Sequence, residues 1–241
     1  DWSSDVCSSD LTNKQIFNNI IHSGNFPNLI LYGPPGTGKT TTIVNLIKSY
    51  QNKYERITNE LIIHLNASDE RGVDIIRNQI NNFVSSKTMF HKGLKFVILD
   101  EVDYMTKPAQ QALKYMVQTN SKNIRYCLIC NYISKIEENL QSDFIKIRFN
   151  NLPKEHIYTF LSSIVKSEKI VVSHETIVKI QELYDSDIRS MINMLQLHKD
   201  TLKYGYIIGI DVWNKLTRSE ELTSELQSPC NLVCRLLLEK K

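Results

Sequence analysis

Gly33-Pro34-Pro35-Gly36-Thr37-Gly38-Lys39-Thr40 is the segment that constrains this chain most. It fits G-x-x-x-x-G-K-[ST] and lies between an apolar run, 28–32, and a stretch with helical spacing. Glycines let a backbone wrap an anion, so that successive N–H groups and the first turn of the next helix all face it. The segment therefore demands a strand that turns sharply into a helix. Lys39 is expected to reach the β- and γ-phosphates of a nucleotide, and the Thr40 hydroxyl to ligate its Mg²⁺. The next residue, Thr41, completes the expected phosphate-binding set.

The rest of the chain reads as a continuation of that unit. Residues 28–32, 61–65, 95–99, 125–130 and 145–149 are short apolar or β-branched runs and read as strands. Helix-like stretches at 39–50, 72–84, 108–118 and 134–141 separate them. Strands alternating with helices predict an α/β fold, a five-stranded parallel sheet between helices. After Pro153 the strand signal stops, and 154–165, 174–184 and 187–198 have helical spacing. The expected organisation is an α/β domain over 12–150, a small all-helical lid over 151–203, and the truncated start of a further domain over 204–217.

The two ends do not belong to this plan. Residues 1–11, DWSSDVCSSDL, are what one reading frame of a widely used short-read sequencing adapter encodes. Residues 218–228, RSEELTSELQS, differ at Leu222 from another frame's RSEEHTSELQS, and 232–241 continue as downstream adapter. Residues 1–11 and 218–241 are therefore expected to be artefact and are excluded from fold reasoning. The exclusion raises the net charge from +3 to 25 − 19 = +6 over 12–217, a lean toward a polyanionic partner. It also leaves two of the five cysteines, Cys127 and Cys130, which argues for a reducing, intracellular setting without a disulfide framework. No apolar run approaches the ~18 residues of a membrane span.

Phe96-Val97-Ile98-Leu99-Asp100-Glu101 is an apolar strand ending in two carboxylates. At a strand's carboxyl edge Asp100 can hold Mg²⁺ through water, and Glu101 can orient and deprotonate an attacking water. Asp103 is expected to cap the next turn. Asn131, ending the run 125–130, could contact the γ-phosphate or satisfy its own turn. Cys127 and Cys130, three apart in a strand, face opposite sides and read as packing residues. The six histidines show no ligand-like clustering.

Taken in order, Asn66-Ala67-Ser68-Asp69-Glu70-Arg71-Gly72, then Leu99-Asp100-Glu101, then Ala109-Gln110-Gln111-Ala112-Leu113 resemble the small subunits of replication factor C, the sliding-clamp loader, among the AAA+ ATPases. The run 128–136, LICNYISKI, resembles one subunit type in particular, and the resemblance covers about 12–203. It implies an ATP hydrolase active in an assembled hetero-pentamer, nuclear, using ATP and Mg²⁺ to open the clamp and load it on primer–template DNA. It implies that Asn131 senses the γ-phosphate and that Arg189, in Ser186-Asp187-Ile188-Arg189, reports it to the lid. It also implies that Asn66 restrains Glu101 until DNA binds. Candidate DNA contacts are Arg77 and Lys114, although solvated helix charges would look the same. Ile80, Phe83 and Val84 could meet the clamp, with core packing the better expectation for each.

The departures matter as much. The family carries Ser-Arg-Cys where this chain has Ser142-Asp143-Phe144, and that arginine is the finger inserted into the neighbour's ATP site. A carboxylate repels transition-state charge that an arginine would stabilise. A structural, nucleotide-binding subunit without finger activity is therefore a second reading, and another AAA+ remodeller a third. The family's N-terminal segment and its C-terminal collar are not found in 12–217. The polypeptide as written is expected to be inactive alone.

Overall fold

The computed structural model describes residues 11–54, 59–68, 73–86, 93–119, 123–170, 172 and 174–197. The chain divides into two compact units, Asp1–Asn151 and Leu152–Lys241. In the first, the apolar runs become β1 (Leu29–Tyr32), β2 (Ile62–Asn66), β3 (Lys95–Asp100), β4 (Ile124–Cys130) and β5 (Ile145–Arg148). All pair in parallel in the order β2-β3-β4-β1-β5. The ladder sets Tyr32 level with Cys130 and Asn66 level with Asp100. The residues that end β1, β3 and β4 therefore emerge along one carboxyl edge, where α/β sheets bind ligands.

Alternation along the strands divides the core into two layers. Phe96 and Ile98 of β3 and Cys127 and Ile129 of β4 face α1 (Leu11–Ser23) and α2 (Lys39–Tyr54), against Phe17, Ile20, Ile43, Leu46 and Ile47. Val97, Leu99, Leu128 and Cys130 point the other way, toward Ile80 of α3 (Val73–Ser85) and Leu113, Met116 and Val117 of α4 (Lys107–Thr119). Both cysteines are free and buried, on opposite faces of the sheet. Ile80 is 1% exposed, and Phe83 and Val84 are partly buried against the same layer. These three side chains therefore pack the core.

The structure differs from the sequence expectation at two elements of this unit. Helix α1 was not expected, because its asparagines mask the spacing of Ile16, Phe17, Ile20 and Ile21. Side chains of α2 hold its end: the Tyr50 hydroxyl donates to the Gly24 carbonyl at 2.8 Å, the Tyr54 hydroxyl lies between the carbonyls of Ile21 and His22 with one proton for the two, and Lys53 donates to that of Ile21. The stretch expected as a helix over 134–141 is instead a 3₁₀ turn, Ile133–Lys135, and one α-helical turn, α5 (Glu138–Gln141), with Ile136 extended between them. Gln110, 1% exposed on α4, explains the break. Its carboxamide accepts from the Glu137 N–H at 2.8 Å and donates to the carbonyls of Met105 and Lys135. Gln141 donates to those of Ile133 and Ile136. Two side chains thus satisfy the backbone that a continuous helix would have paired internally.

The second unit holds α6 (Lys154–Ser167), α7 (His174–Tyr184) and α8 (Ile188–Leu197), packed through Ile157, Leu161, Ile177, Ile180, Met191 and Leu195. Asp187, expected inside the last helix, precedes it as the cap, accepting from the Ser190 N–H and hydroxyl. Residues 198–217 and most of the two excluded ends lie outside the described residues.

Two outcomes follow from these contacts. Gln110→Ala should cost about 2 kcal/mol of unfolding free energy in urea, and Gln110→Glu more, because it turns a buried carboxylate toward two carbonyls. Burial, helped by the Asp103 carboxylate and opposed by Lys39, pushes the Cys130 thiol up to about 12, and burial alone pushes Cys127 higher still. Each thiol's contribution to stability is full below the ordinary 9.0 and is lost as pH climbs toward the raised value, since the unfolded thiol ionises first. Cys130→Ala should therefore flatten the fall in stability above pH 9 seen in thermal melts.

Candidate nucleotide site

The turn from β1 into α2 needs glycine for a steric reason. Gly33 lies at φ 143°, and a Cβ there would be driven into the carbonyl oxygen of Phe149. The Phe149 N–H, just past β5, donates to the Tyr32 carbonyl at 2.7 Å, so β5 holds the start of the loop from one side. Gly36 and Gly38 take φ 74° and 83°, the left-handed region that side chains disfavour. The loop then enters α2 at Lys39, so its end is a helix N-terminus, the end that favours an anion.

The Lys39 ammonium, 6% exposed, closes the loop from within. It donates to the carbonyls of Gly33 at 2.8 Å and Pro34 at 2.7 Å, and to Asn131 Oδ1 at 3.1 Å. The last contact spans 92 residues and places the end of β4 beside the loop. Thr37, 2% exposed, donates to the Pro34 carbonyl at 2.8 Å. Thr41 is exposed on α2.

On the β3 side, Thr40 Oγ1 donates to Asp100 Oδ2 at 2.8 Å across 60 residues. This pair meets the test for a hard cation: two oxygen donors from separate elements converge on one point. No cluster of three or more His, Cys, Asp or Glu surrounds it among the described residues. Mg²⁺ suits such a sparse set, because it fills its octahedron with phosphate oxygens and water. Glu101 follows at φ 57°, a left-handed conformation uncommon for a non-glycine residue, with its N–H donating to Asp100 Oδ1 at 2.9 Å. The Ser68 hydroxyl donates to Glu101 Oε2.

The sequence-predicted residues thus separate into groups. Gly33 through Thr40, Asp100, Glu101 and Asn131 come together on one edge. Asn66 lies on that edge too, but its side chain accepts from Ser68 and makes no contact with Glu101 among the described residues, because a two-residue Asx turn occupies it. Asp103 is 6% exposed and makes no side-chain cap to the turn it was expected to close. Lys114 is half-buried on α4; Arg77 is on α3, with its side chain outside the described residues. Arg189 is exposed in the first turn of α8, within the second unit. Asp143 accepts from Gln118 Nε2 at 3.2 Å. Ser68 was the residue missed, though it stood inside the quoted motif two positions after Asn66.

A sheet of this order with this loop, carboxylate pair and polar strand end defines a P-loop ATPase fold. Residues 29–152 match the ATPase family associated with various cellular activities (AAA), and the chain belongs to that family. Among curated proteins it is similar to Replication factor C subunit 3 of Saccharomyces cerevisiae, 41% identical over 76% of this chain and 53% of that protein. It is likewise similar to Replication factor C subunit 5 of Homo sapiens, 44% identical over 73% and 51%. The chain spans about half the length of these relatives. Among solved structures, the Thermotoga maritima RuvB Holliday junction branch migration motor shares the fold at TM-score 0.68, 15% identity, over 90% of this chain and 70% of that one. The Aeropyrum pernix ORC1 protein in complex with DNA shares it at TM-score 0.64 and 16% identity, over 86% and 63%.

Replacing Lys39 with Met should weaken binding of a fluorescent ATP analogue at least ~100-fold, from loss of the ammonium expected to meet the phosphates. Replacing Asn131 with Ala should leave the analogue's affinity within about fivefold, because its contact is with Lys39.

Proposed function

We propose that this chain is the ATPase portion of a small subunit of a DNA sliding-clamp loader. In this reading ATP binding assembles the subunits into a form that opens the clamp, and hydrolysis releases it on primer–template DNA. The observation that carries the reading is the meeting of Thr40 with Asp100 and of Lys39 with Asn131, beside Glu101, on one sheet edge. The relatives' identity supports the clamp-loader assignment over other AAA proteins.

The division of labour follows from the positions. The loop N–H groups and Lys39 bind the phosphates and offset their charge. Thr40 and Asp100 would hold Mg²⁺, which when bound draws charge from the phosphate oxygens. Glu101 orients the attacking water and accepts its proton. Asn131, through its contact with Lys39, reads whether the terminal phosphate is present. Arg189 would report the same state to the helical unit. An arginine from an adjacent subunit is expected to complete the site. Arg77 and Lys114 are the proposed DNA contacts, other clamp-loader subunits, the clamp and DNA the partners, and the nucleus the location. Residues 12–217 are the part proposed as native.

Asp143 supports a second reading of the same ring position. A carboxylate held by Gln118 stands where the family's arginine finger would, so in this reading the subunit binds nucleotide as a structural member of the ring and does not activate its neighbour.

Glu101→Gln in the reconstituted loader should reduce this subunit's DNA-stimulated turnover ~100-fold or more while ATP affinity holds within about threefold. Undiminished turnover would sink the enzyme reading and leave the structural one.

A further inference from the structure

Glu101 is the proposed base, yet its own strand gives its carboxylate no support: the Asp100 side chain bonds the Glu101 N–H, not its carboxylate. The support comes from the neighbouring strand. The Ala67 N–H donates to the Asp100 carbonyl at 2.8 Å, extending the β2–β3 ladder one step past Asn66 and Asp100. Ser68 is thereby set beside Glu101, and its hydroxyl donates to Glu101 Oε2. Oε1 has no partner among the described residues.

The same hydroxyl lies 2.9 Å from Asn66 Oδ1, and a hydroxyl has one proton for two acceptors. The Ser68 N–H, 3.0 Å from that oxygen, decides the assignment. It identifies the atom as the amide's oxygen and keeps it satisfied whichever way the hydroxyl points. With Glu101 ionised, turning the proton toward Asn66 would leave two oxygens facing each other without a hydrogen. The proton therefore belongs to Glu101.

We propose that Ser68 is a positioning residue for Glu101, anchoring one carboxylate oxygen and leaving the other directed to accept a proton from water. The proposal rests on the reading of Glu101 as the base. It gives Ser68 a productive role, and gives Asn66 the lesser one of holding Ser68.

The test is Ser68→Ala and Ser68→Thr in the reconstituted loader. Ser68→Ala should lower the turnover number roughly tenfold with KM for ATP within twofold, the split expected for an interaction acting on the chemical step. Ser68→Thr, which keeps the hydroxyl, should restore most of it. Unchanged or faster turnover in Ser68→Ala would overturn the proposal. A double-mutant cycle of Ser68→Ala with Glu101→Ala, which removes both carboxylate oxygens, is read by urea denaturation of the chain alone and needs no turnover at all. Coupled effects are expected, and strict additivity would overturn the contact itself. Coupling in that cycle together with full activity of Glu101→Gln would instead show the failure to lie in the assignment of the base.

Discussion

The register of the parallel ladder is the constraint on which the site depends. Phosphate loop, carboxylate pair and polar strand end come from residues 33–40, 100–101 and 131, and nothing local brings them together. Four parallel pairings set Tyr32 against Cys130 and Leu99 against Leu128, so Asn131 follows level with Gly33, and Asp100 and Glu101 lie one to two residues short of them along the same edge. A slip of one residue in β4 would turn Tyr126, Leu128 and Cys130 to the other layer and carry Asn131 away from Lys39. The buried strands, with apolar layers on both faces, make such a slip costly.

Around that edge the chain places its polar side chains as ties between loops. Lys39 bonds two loop carbonyls and Asn131; Thr40 bonds Asp100; Ser68 bonds Glu101; Gln110 bonds three backbone groups of two segments. The bonds from Lys39 to Asn131, Thr40 to Asp100, Ser68 to Glu101, and Gln110 to Lys135 and Glu137 link elements distant in sequence, and they are half-buried or buried, where an unmade hydrogen bond is expensive. A shift at the loop must therefore be felt at the ends of β3 and β4. In the proposed reading, sensing and chemistry share the same bonds. The two carboxylates differ in what surrounds them, Asp100 meeting a hydroxyl from the phosphate-loop motif and Glu101 one from the turn that follows β2.

Much of this was legible in the residues. The loop motif, a strand ending in Asp-Glu and a second ending in Asn each carry a local signature, and strand–helix alternation specifies a parallel sheet without any contact information. Helix α1 was hidden because asparagine-rich stretches dilute helical periodicity, even with Gly24 standing at its end in the left-handed conformation. The break between Ile133 and Glu138 was hidden for a different reason: the groups that replace its helical bonds belong to Gln110 and Gln141.

Asn66 and Ser68 show where the boundary falls. The sequence by itself determined the sheet, the glycine-rich loop and the types of polar group that end the strands, because backbone geometry and residue type suffice for each. Only the tertiary structure decided that Ser68, rather than Asn66, touches Glu101. That choice turns on which side chain the β2–β3 ladder leaves facing the carboxylate, and on a backbone N–H that already claims the Asn66 oxygen. Hydrogen-bond assignment is a competition among neighbours, and the neighbours are known once the strands are laid side by side.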